Sequence, residues 1–336
     1  MPPLADIPSP QKILVIRRDN IGDLVCTTPL LAALRARFPA AWIGVLANSY
    51  NAPVLAGSPD VDAVFAYTKG KHLAAAGERL AALWRRAKLV LDLRRMRIDV
   101  VLLPGGAQAS AQRFARLVAP RRLLVSPPDV TGHEVERSFA AARKLGVGGT
   151  PPACKVVADA ARRAAIAARL PQTLAGRRLV ALQLSARKPR QRWPPERFAA
   201  LARALHAASG CGLLVFWSPG AEDDPLHPGD DATAAALALQ TQDLPLAAVA
   251  TRELADLVAG LSLCDTVICA DGGAMHIAAA LGKPVVCLFG NSDAARWHPW
   301  AVPCELLQPA SRDVADISVD EVFAAHERLM QRTGAT

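Results

Sequence analysis

Two short stretches hold residues whose types and spacing suit chemistry. The first, Arg17-Arg18-Asp19-Asn20-Ile21-Gly22-Asp23, follows an apolar run and precedes a helical pattern. A carboxylate at the mouth of a strand-to-helix turn can serve as general base toward a substrate hydroxyl. It can equally cap the helix, a role worth about 1 kcal/mol. Asp23 is the candidate base, and Asp19 is the competing carboxylate, with Arg17 or Arg18 as its pairing partner. The second stretch, Asp271-Gly272-Gly273-Ala274-Met275-His276, again joins an apolar run to a helical pattern. Two glycines at a helix N-terminus leave backbone N–H groups open to an anion, and the helix dipole favours negative charge there. Such a turn suits a diphosphate. It is neither G-x-G-x-x-G nor a Walker lysine motif. The plain alternative is a tight turn with Asp271 as N-cap. His276 lies one short step into the helix, beside the proposed anion site, while Met275 and Ile277 read as core or apolar wall.

The elements that must position these turns alternate in βαβ order. Strand patterns cover 12–17, 42–47, 62–67, 100–104 and 123–126, and helical patterns cover 28–38, 72–97 and 108–118. Residues 127–170 read as mostly helical. The alternation then restarts, with strands at 177–184, 213–217, 266–270 and 284–289 and helices at 195–208, 252–263, 273–281 and 318–330. This grammar implies parallel sheets covered on both faces. It predicts two doubly wound Rossmann-like domains, 1–170 and 171–336, and a cleft between their strand C-terminal ends.

The composition is that of a soluble globular protein, and 336 residues are comfortable for two domains. The net charge of +9 is unevenly placed: residues 1–160 carry +10 and residues 161–336 carry −1. The first half therefore suits an anionic partner such as nucleic acid, an acidic membrane face or a phosphorylated substrate. Arginine-rich composition alone is the plain alternative. The seven cysteines form no C-x-x-C pair, which argues for a reducing compartment and against a zinc site. Cys264, Cys269 and Cys287 fall in apolar strand-like runs. The N-terminus lacks a secretory pattern and no apolar run reaches membrane-spanning length, so a cytoplasmic protein is expected.

Three blocks together resemble the ADP-heptose:lipopolysaccharide heptosyltransferases, glycosyltransferase family 9. They are RDNIGDLVCTTPLL from Arg18, RWPPERFAALARAL from Arg192 and DGGAMHIAAALGKPVVCLFGNSDAARW from Asp271. They stand in the family's order over nearly the whole chain. The resemblance implies a GT-B fold whose N-terminal domain faces the acceptor and whose C-terminal domain holds the nucleotide-sugar. It implies inverting, metal-independent transfer of heptose from ADP-heptose to a lipopolysaccharide inner-core acceptor, with no cofactor. It also implies no nucleic-acid partner and leaves room for peripheral contact with the acidic inner membrane. A different nucleotide-sugar or acceptor on the same fold, or a nucleotide-sugar epimerase, are the alternatives.

Carried onto this chain, the family's motif aspartate is Asp23. Nucleotide-sugar contacts fall to Lys188, Arg190, Gln191, Arg192, Glu222, Asp271, Gly272, Gly273, Ala274 and His276. The family has lysine two residues before the Trp, where this chain has Gln191, so Lys188 and Arg190 are the nearby substitutes for a phosphate contact. Glu222 matches the acidic residue that accepts from a ribose hydroxyl, with Asp223 and Asp224 adjacent. Acceptor contacts are expected from Arg18, Asn20, Lys69, Lys71 and Arg113. Arg94, Arg95, Arg97, Arg116, Arg121 and Arg122 are further candidates toward the acceptor or an acidic leaflet, each also readable as a solvated surface. Asp60-Val61-Asp62 spells D-x-D, a metal–diphosphate motif elsewhere, but Ser58-Pro59 before it makes a turn the better explanation.

Overall fold

Runs of Val, Ile and Leu with no alternating polar residues predict strands buried on both faces, and the computed structural model of the chain forms them. It describes residues 9–67, 76–224 and 229–334. Lys69 and Lys71 lie outside the described residues. The chain divides into two units, Met1–Cys154 and Lys155–Thr336.

The first unit runs β1 (Lys12–Ile16), α1 (Ile21–Val25), α2 (Thr28–Arg37), β2 (Trp42–Asn48), β3 (Ala63–Tyr67), α3 (Ala76–Arg95), β4 (Val100–Leu103), α4 (Ala109–Val118), β5 (Arg122–Val125) and α5 (Glu134–Phe139). Its sheet has the order β3-β2-β1-β4-β5, with parallel pairing throughout. One core cluster joins Leu14, Ile16, Val101 and Leu103 of the sheet to Leu93 of α3 and Phe114 of α4. The D-x-D carboxylate is structural. Asp62 accepts hydrogen bonds from the Ile43 N–H and from Arg35 Nη2, both at 2.6 Å. Burial works against its charge, but those two partners prevail and hold the carboxyl below its ordinary range.

The second unit opens with α6 (Ala160–Ala167). Five further segments alternate after it: β6 (Leu179–Gln183), α7 (Pro195–Ser209), β7 (Gly212–Trp217), α8 (Asp231–Gln240) and β8 (Leu246–Ala250). Then come α9 (Leu254–Ser262), β9 (Thr266–Ala270), α10 (Gly273–Ala280), β10 (Val285–Leu288), α11 (Ala294–Trp297), β11 (Cys304–Leu307) and α12 (Val319–Thr333). The sheet order is β11-β10-β9-β6-β7-β8, again parallel. Helix boundaries follow their local chemistry. α7 starts on Pro195, whose fixed φ suits a first helical position, and ends at Gly210 with φ 65°. α12 starts on a capping box in which Ser318 Oγ accepts from the Glu321 N–H and Glu321 Oε2 accepts from the Ser318 N–H. Trp193, of the Arg-Trp-Pro block, is core: its indole N–H donates to the Ile317 carbonyl and its ring meets Phe198 edge-on.

Four differences from the sequence reading have physical causes. α8 is Ala-rich and lacks polar contrast, so its periodicity is faint. β8 and β11 are short, half-buried edge strands, with Pro245 directly before β8 and Pro303 directly before β11. α1 is a single turn and a quarter set inside what reads as a loop. The boundary falls within the 150–177 stretch read as the junction, but at its start, so that residues 155–170 go with the second unit, where Arg162 pairs with Glu253 and Asp256 at the start of α9.

Gly260 inside α9 gives a sign test of this packing. Alanine in a helix interior normally gains up to about 1 kcal/mol over glycine. Here the added Cβ would fall against Cε1 of Phe216, a ring with no exposure and no room to yield. Overpacking of this kind costs about 1–3 kcal/mol. Gly260→Ala is therefore expected to lower the melting temperature, read by circular dichroism.

Candidate active site

In an open parallel sheet, ligands sit beyond the strand C-terminal ends where the strand order reverses. In the first unit that point lies between β1 and β4. A small pocket opens there, lined by Ile16, Arg18, Asp19, Leu103, Gly105 and Gly106. Its floor is Arg17. That side chain is 2% exposed and faces three carboxylates: Asp23 Oδ1 and Glu134 Oε1, each 2.6 Å from Nη2, and Asp19 Oδ2, 3.2 Å from Nε. Burial opposes the guanidinium charge, and Asp23, Glu134 and Asp19 outweigh that burial, so its pKa is raised. Gly105 permits the approach of β4 to this cluster: a Cβ there would stand 3.0 Å from Arg17 Nη1 and 3.1 Å from Asp19 Oδ2.

Asp23 is held on both oxygens. Oδ1 accepts from Arg17 Nη2, and Oδ2 accepts from the Asn20 backbone N–H and from Asn20 Nδ2, each at 3.0 Å. The side chain keeps 12% exposure. A carboxylate oxygen offers two lone pairs. Oδ1, with one donor, therefore retains a site for a hydroxyl proton. The loop that carries it is fixed from below. Asn48 Nδ2 donates to the Arg18 and Asp19 carbonyls at 2.8 and 2.9 Å, and Asn51 Nδ2 donates to the Arg17 and Asn20 carbonyls at 3.4 and 3.3 Å. Arg18 is buried, donates to Ser110 Oγ and stacks on Tyr67 and Phe114. Asn20 and, on α4, Arg113 are exposed.

The second unit reverses its strand order between β6 and β9. Asp271 stands at the end of β9, and Gln191 reaches it from 80 residues away: Nε2 donates to Asp271 Oδ2 at 2.8 Å and to Ser292 Oγ at 3.2 Å. Burial pushes the Asp271 carboxyl up, while Ser292, the Lys188 charge and Gln191 pull the other way. Gly290 brings the strand exit against this loop, because a Cβ there would lie 2.5 Å from the Arg190 carbonyl oxygen. Gln308 Nε2 then ties the Gly290 and Ser292 carbonyls together.

Gly272 is the N-cap of α10, and a Cβ built on it meets nothing within 4 Å, so its backbone faces open space. The first-turn N–H groups of Gly273 and Ala274 have no partner within the helix. Lys188, Gln191, Asp271 and this turn therefore come together. His276, deeper in the helix, is buried and meets Trp297 edge-on at 5.9 Å. Arg190 exposes its side chain. Arg192 turns elsewhere, pairing with Asp230 at 3.0 Å and donating to the Ala186 carbonyl. Glu222 accepts from Thr233 Oγ1 at 2.7 Å and lines an open depression with Gly220, Asp223 and Asp231.

Residues 87–313 match the profile of glycosyltransferase family 9 (heptosyltransferase). The chain belongs to that family. Lipopolysaccharide heptosyltransferase 3 of Escherichia coli is 27% identical, over 83% of this chain and 84% of the relative. Among solved structures, the family 9 glycosyl transferase of Veillonella parvula superposes with a TM-score of 0.77 at 17% identity, covering 96% of this chain and 97% of the other. The E. coli ADP-heptose lps heptosyltransferase II gives 0.75 at 20% identity, covering 96% and 100%. This family 9 glycosyltransferase thus has the expected GT-B type α/β fold of two Rossmann-like domains.

Sequence reading offered Arg17 only as a partner for Asp19 and did not single out Glu134, Asn48, Asn51, Ser292 or Gln308 for these sites. Arg17 and Glu134 lie 117 residues apart, and no local pattern joins them. The one available signal was Asn48-Ser-Tyr-Asn51 directly after a strand, two amides where the strand C-terminal end meets the turn.

Two outcomes follow from this geometry. Arg17→Met removes the buried cation that Asp19, Asp23 and Glu134 share, leaving Glu134 its longer contact with Arg137 at 3.7 Å, and is expected to cost about 3–5 kcal/mol in urea unfolding. Asp271→Asn keeps an oxygen acceptor for Gln191 but removes the charge. Because the folded carboxyl is raised above its unfolded value, the folded state binds more protons between the two values, and wild-type stability falls as pH rises through that window. The variant lacks this slope. Its melting temperature relative to wild type is expected to climb with pH from about 4, where a free Asp titrates, and then level off.

Proposed function

We propose that this glycosyltransferase transfers heptose from ADP-heptose to a lipopolysaccharide inner-core acceptor with inversion, and that Asp23 is its base. The acceptor hydroxyl attacks the anomeric carbon, its proton passes to Asp23 Oδ1, and the bond from that carbon to the diphosphate oxygen breaks to release ADP. The observation that carries this reading is the hold on Asp23. Arg17 and Asn20 orient both oxygens, and Oδ1 retains a lone pair at the sheet position where ligands gather. Such orientation favours proton abstraction from a hydroxyl already aligned for attack.

The leaving diphosphate needs positive potential. The open start of α10 offers oriented N–H groups of Gly272, Gly273 and Ala274, and Lys188 and Arg190 add mobile cations beside them. In this reading Gln191 and Asp271 act on each other and on Ser292 to set the turn, Glu222 meets the ribose, and His276 backs the sugar-side wall. The first unit takes the acceptor, through Arg18, Asn20, Arg113 and the Lys69–Lys71 segment, and the second takes the donor. The names of the relatives support heptose, ADP and lipopolysaccharide as the substrate classes, and family membership favours transfer over epimerisation. Among the described residues the seven cysteines form no disulfide and six of them are buried, which supports a reducing, cytoplasmic setting.

The test pairs binding with turnover. ADP is expected to raise the melting temperature of the wild type and of Asp23→Asn alike, and more than UDP or GDP does. Turnover of ADP-heptose by Asp23→Asn is expected to fall about 10²–10⁴-fold, the range for loss of a general base. A variant that turns over like the wild type removes Asp23 from the role. A preference for UDP or GDP removes the donor.

A further inference from the structure

The strongest feature outside these sites is the outer face of α3. Its inner face is packed: Leu93 is fully buried, Leu89 is half-buried, and Arg86 stacks on Tyr67 and Phe114. Trp84 and Leu91 lie seven residues apart, two helical turns, and so share one face. That face is opposite Leu93. Trp84 is 70% exposed, Leu91 52% and the neighbouring Leu83 61%. On the adjoining α4, Leu117 is 49% exposed. Lys88 and Arg95 interleave with Trp84 and Leu91 at helical spacing, and Arg85 and Arg94 flank them, all exposed. The one carboxylate on this part of the helix, Asp92, pairs with Lys88 and Arg95. Over its length α3 carries six cations and two carboxylates.

An exposed tryptophan and leucines set among arginines and lysine form an amphipathic surface of the kind that lies in a membrane interface. The ring and aliphatic groups enter at headgroup depth, and the long cationic chains reach back to lipid phosphates. Among the described residues no helix is long and apolar enough to cross a membrane, so contact of this kind is peripheral. A two-fold pairing of copies through the same face would set these cations against themselves. A purely ionic partner would leave Trp84, Leu83 and Leu91 without use.

We propose that the outer face of α3, with Leu117 of α4, docks this enzyme on an anionic lipid surface. The inference deepens the acceptor reading above, since a lipopolysaccharide acceptor is a glycan carried on lipid. The docking itself is measured without turnover, so the two fail separately.

Flotation of the full chain with vesicles tests it. Binding is expected to vesicles in which phosphatidylglycerol is about a third of the lipid, with little to phosphatidylcholine alone, and to weaken at high salt as surface charges are screened. Each cation near the surface is worth about fivefold in partition, so Arg85→Glu/Lys88→Glu is expected to lose at least tenfold. Trp84→Ser/Leu91→Ser is expected to lose a similar factor while keeping the wild-type melting temperature and ADP shift. Wild-type Trp84 is expected to be quenched by brominated lipid, read as the difference from Trp84→Phe. Three results would overturn the proposal: equal binding to neutral vesicles, binding unchanged in Trp84→Ser/Leu91→Ser, or no vesicle binding. Self-association abolished by Trp84→Ser, without vesicle binding, would assign the face to a second copy. RNA retention that is equal in wild type and Trp84→Ser/Leu91→Ser, without vesicle binding, would assign it to charge alone.

Discussion

One buried guanidinium organises the first unit. Arg17 has left water almost entirely, and desolvating such a cation costs several kcal/mol unless anions meet it. Three carboxylates do, from the loop after β1, from α1 and from the start of α5. Each anion is in turn placed by the cation, so the positions of the β1 loop, α1 and α5 are set together. The Asn48 and Asn51 amides secure the carbonyls of the same loop. Arg137 adds a second cation at Glu134 Oε2, 3.7 Å away, on the outer side of the cluster.

The second unit solves the complementary problem with little charge. Its corner at β9 is held by Gln191, Ser292 and Gln308, through neutral donors to Asp271 and to carbonyls. Neutral donors hold the corner, and the Lys188 charge acts on Asp271 from beside it. Arg192 is by contrast spent on Asp230, whose carboxyl burial drives upward despite Ser185 and that pairing. Gln191, where the resemblance led to an expectation of lysine, therefore has a structural occupation of its own. It bridges two turns that lie 80 and 101 residues away in the chain.

Much of the fold was legible because its strands are continuous apolar runs and helices such as α4 and α12 carry strong periodicity. β1, β4, β9 and β10 needed nothing more. Legibility failed where tertiary contact decides structure: the edge strands β8 and β11, the Ala-rich α8 and the single turn α1. The site divided in the same way. Asp23 and the Asp271–Gly273 corner were visible because turn residues and a helix start cluster locally. Glu134 was not, because only the folded sheet brings α5 to Arg17. Arg18, read as an acceptor contact, lines the pocket beyond β1 and β4 while stacking on Tyr67 and Phe114, a packing that sequence spacing does not encode. Asp62 in the D-x-D run is committed to Ile43 and Arg35, partners that the local sequence does not show.

Capping and catalysis seemed rival explanations of Asp23, yet the geometry divides them between two oxygens. Oδ2 reaches back to Asn20 at the helix start, the reciprocal bond of a capping box, and so fixes the χ angles of the side chain. Oδ1 is then directed at Arg17 with one lone pair remaining. A free aspartate would have to be ordered at the moment of reaction, at a cost in rotamer entropy. The cap meets that cost when the chain folds. A stability role is therefore the means by which a base can be held ready, and its presence does not count against the chemistry. The same logic runs through Asn20, which is exposed and small, and whose backbone and side-chain donors both serve the one oxygen that the proposed reaction does not use.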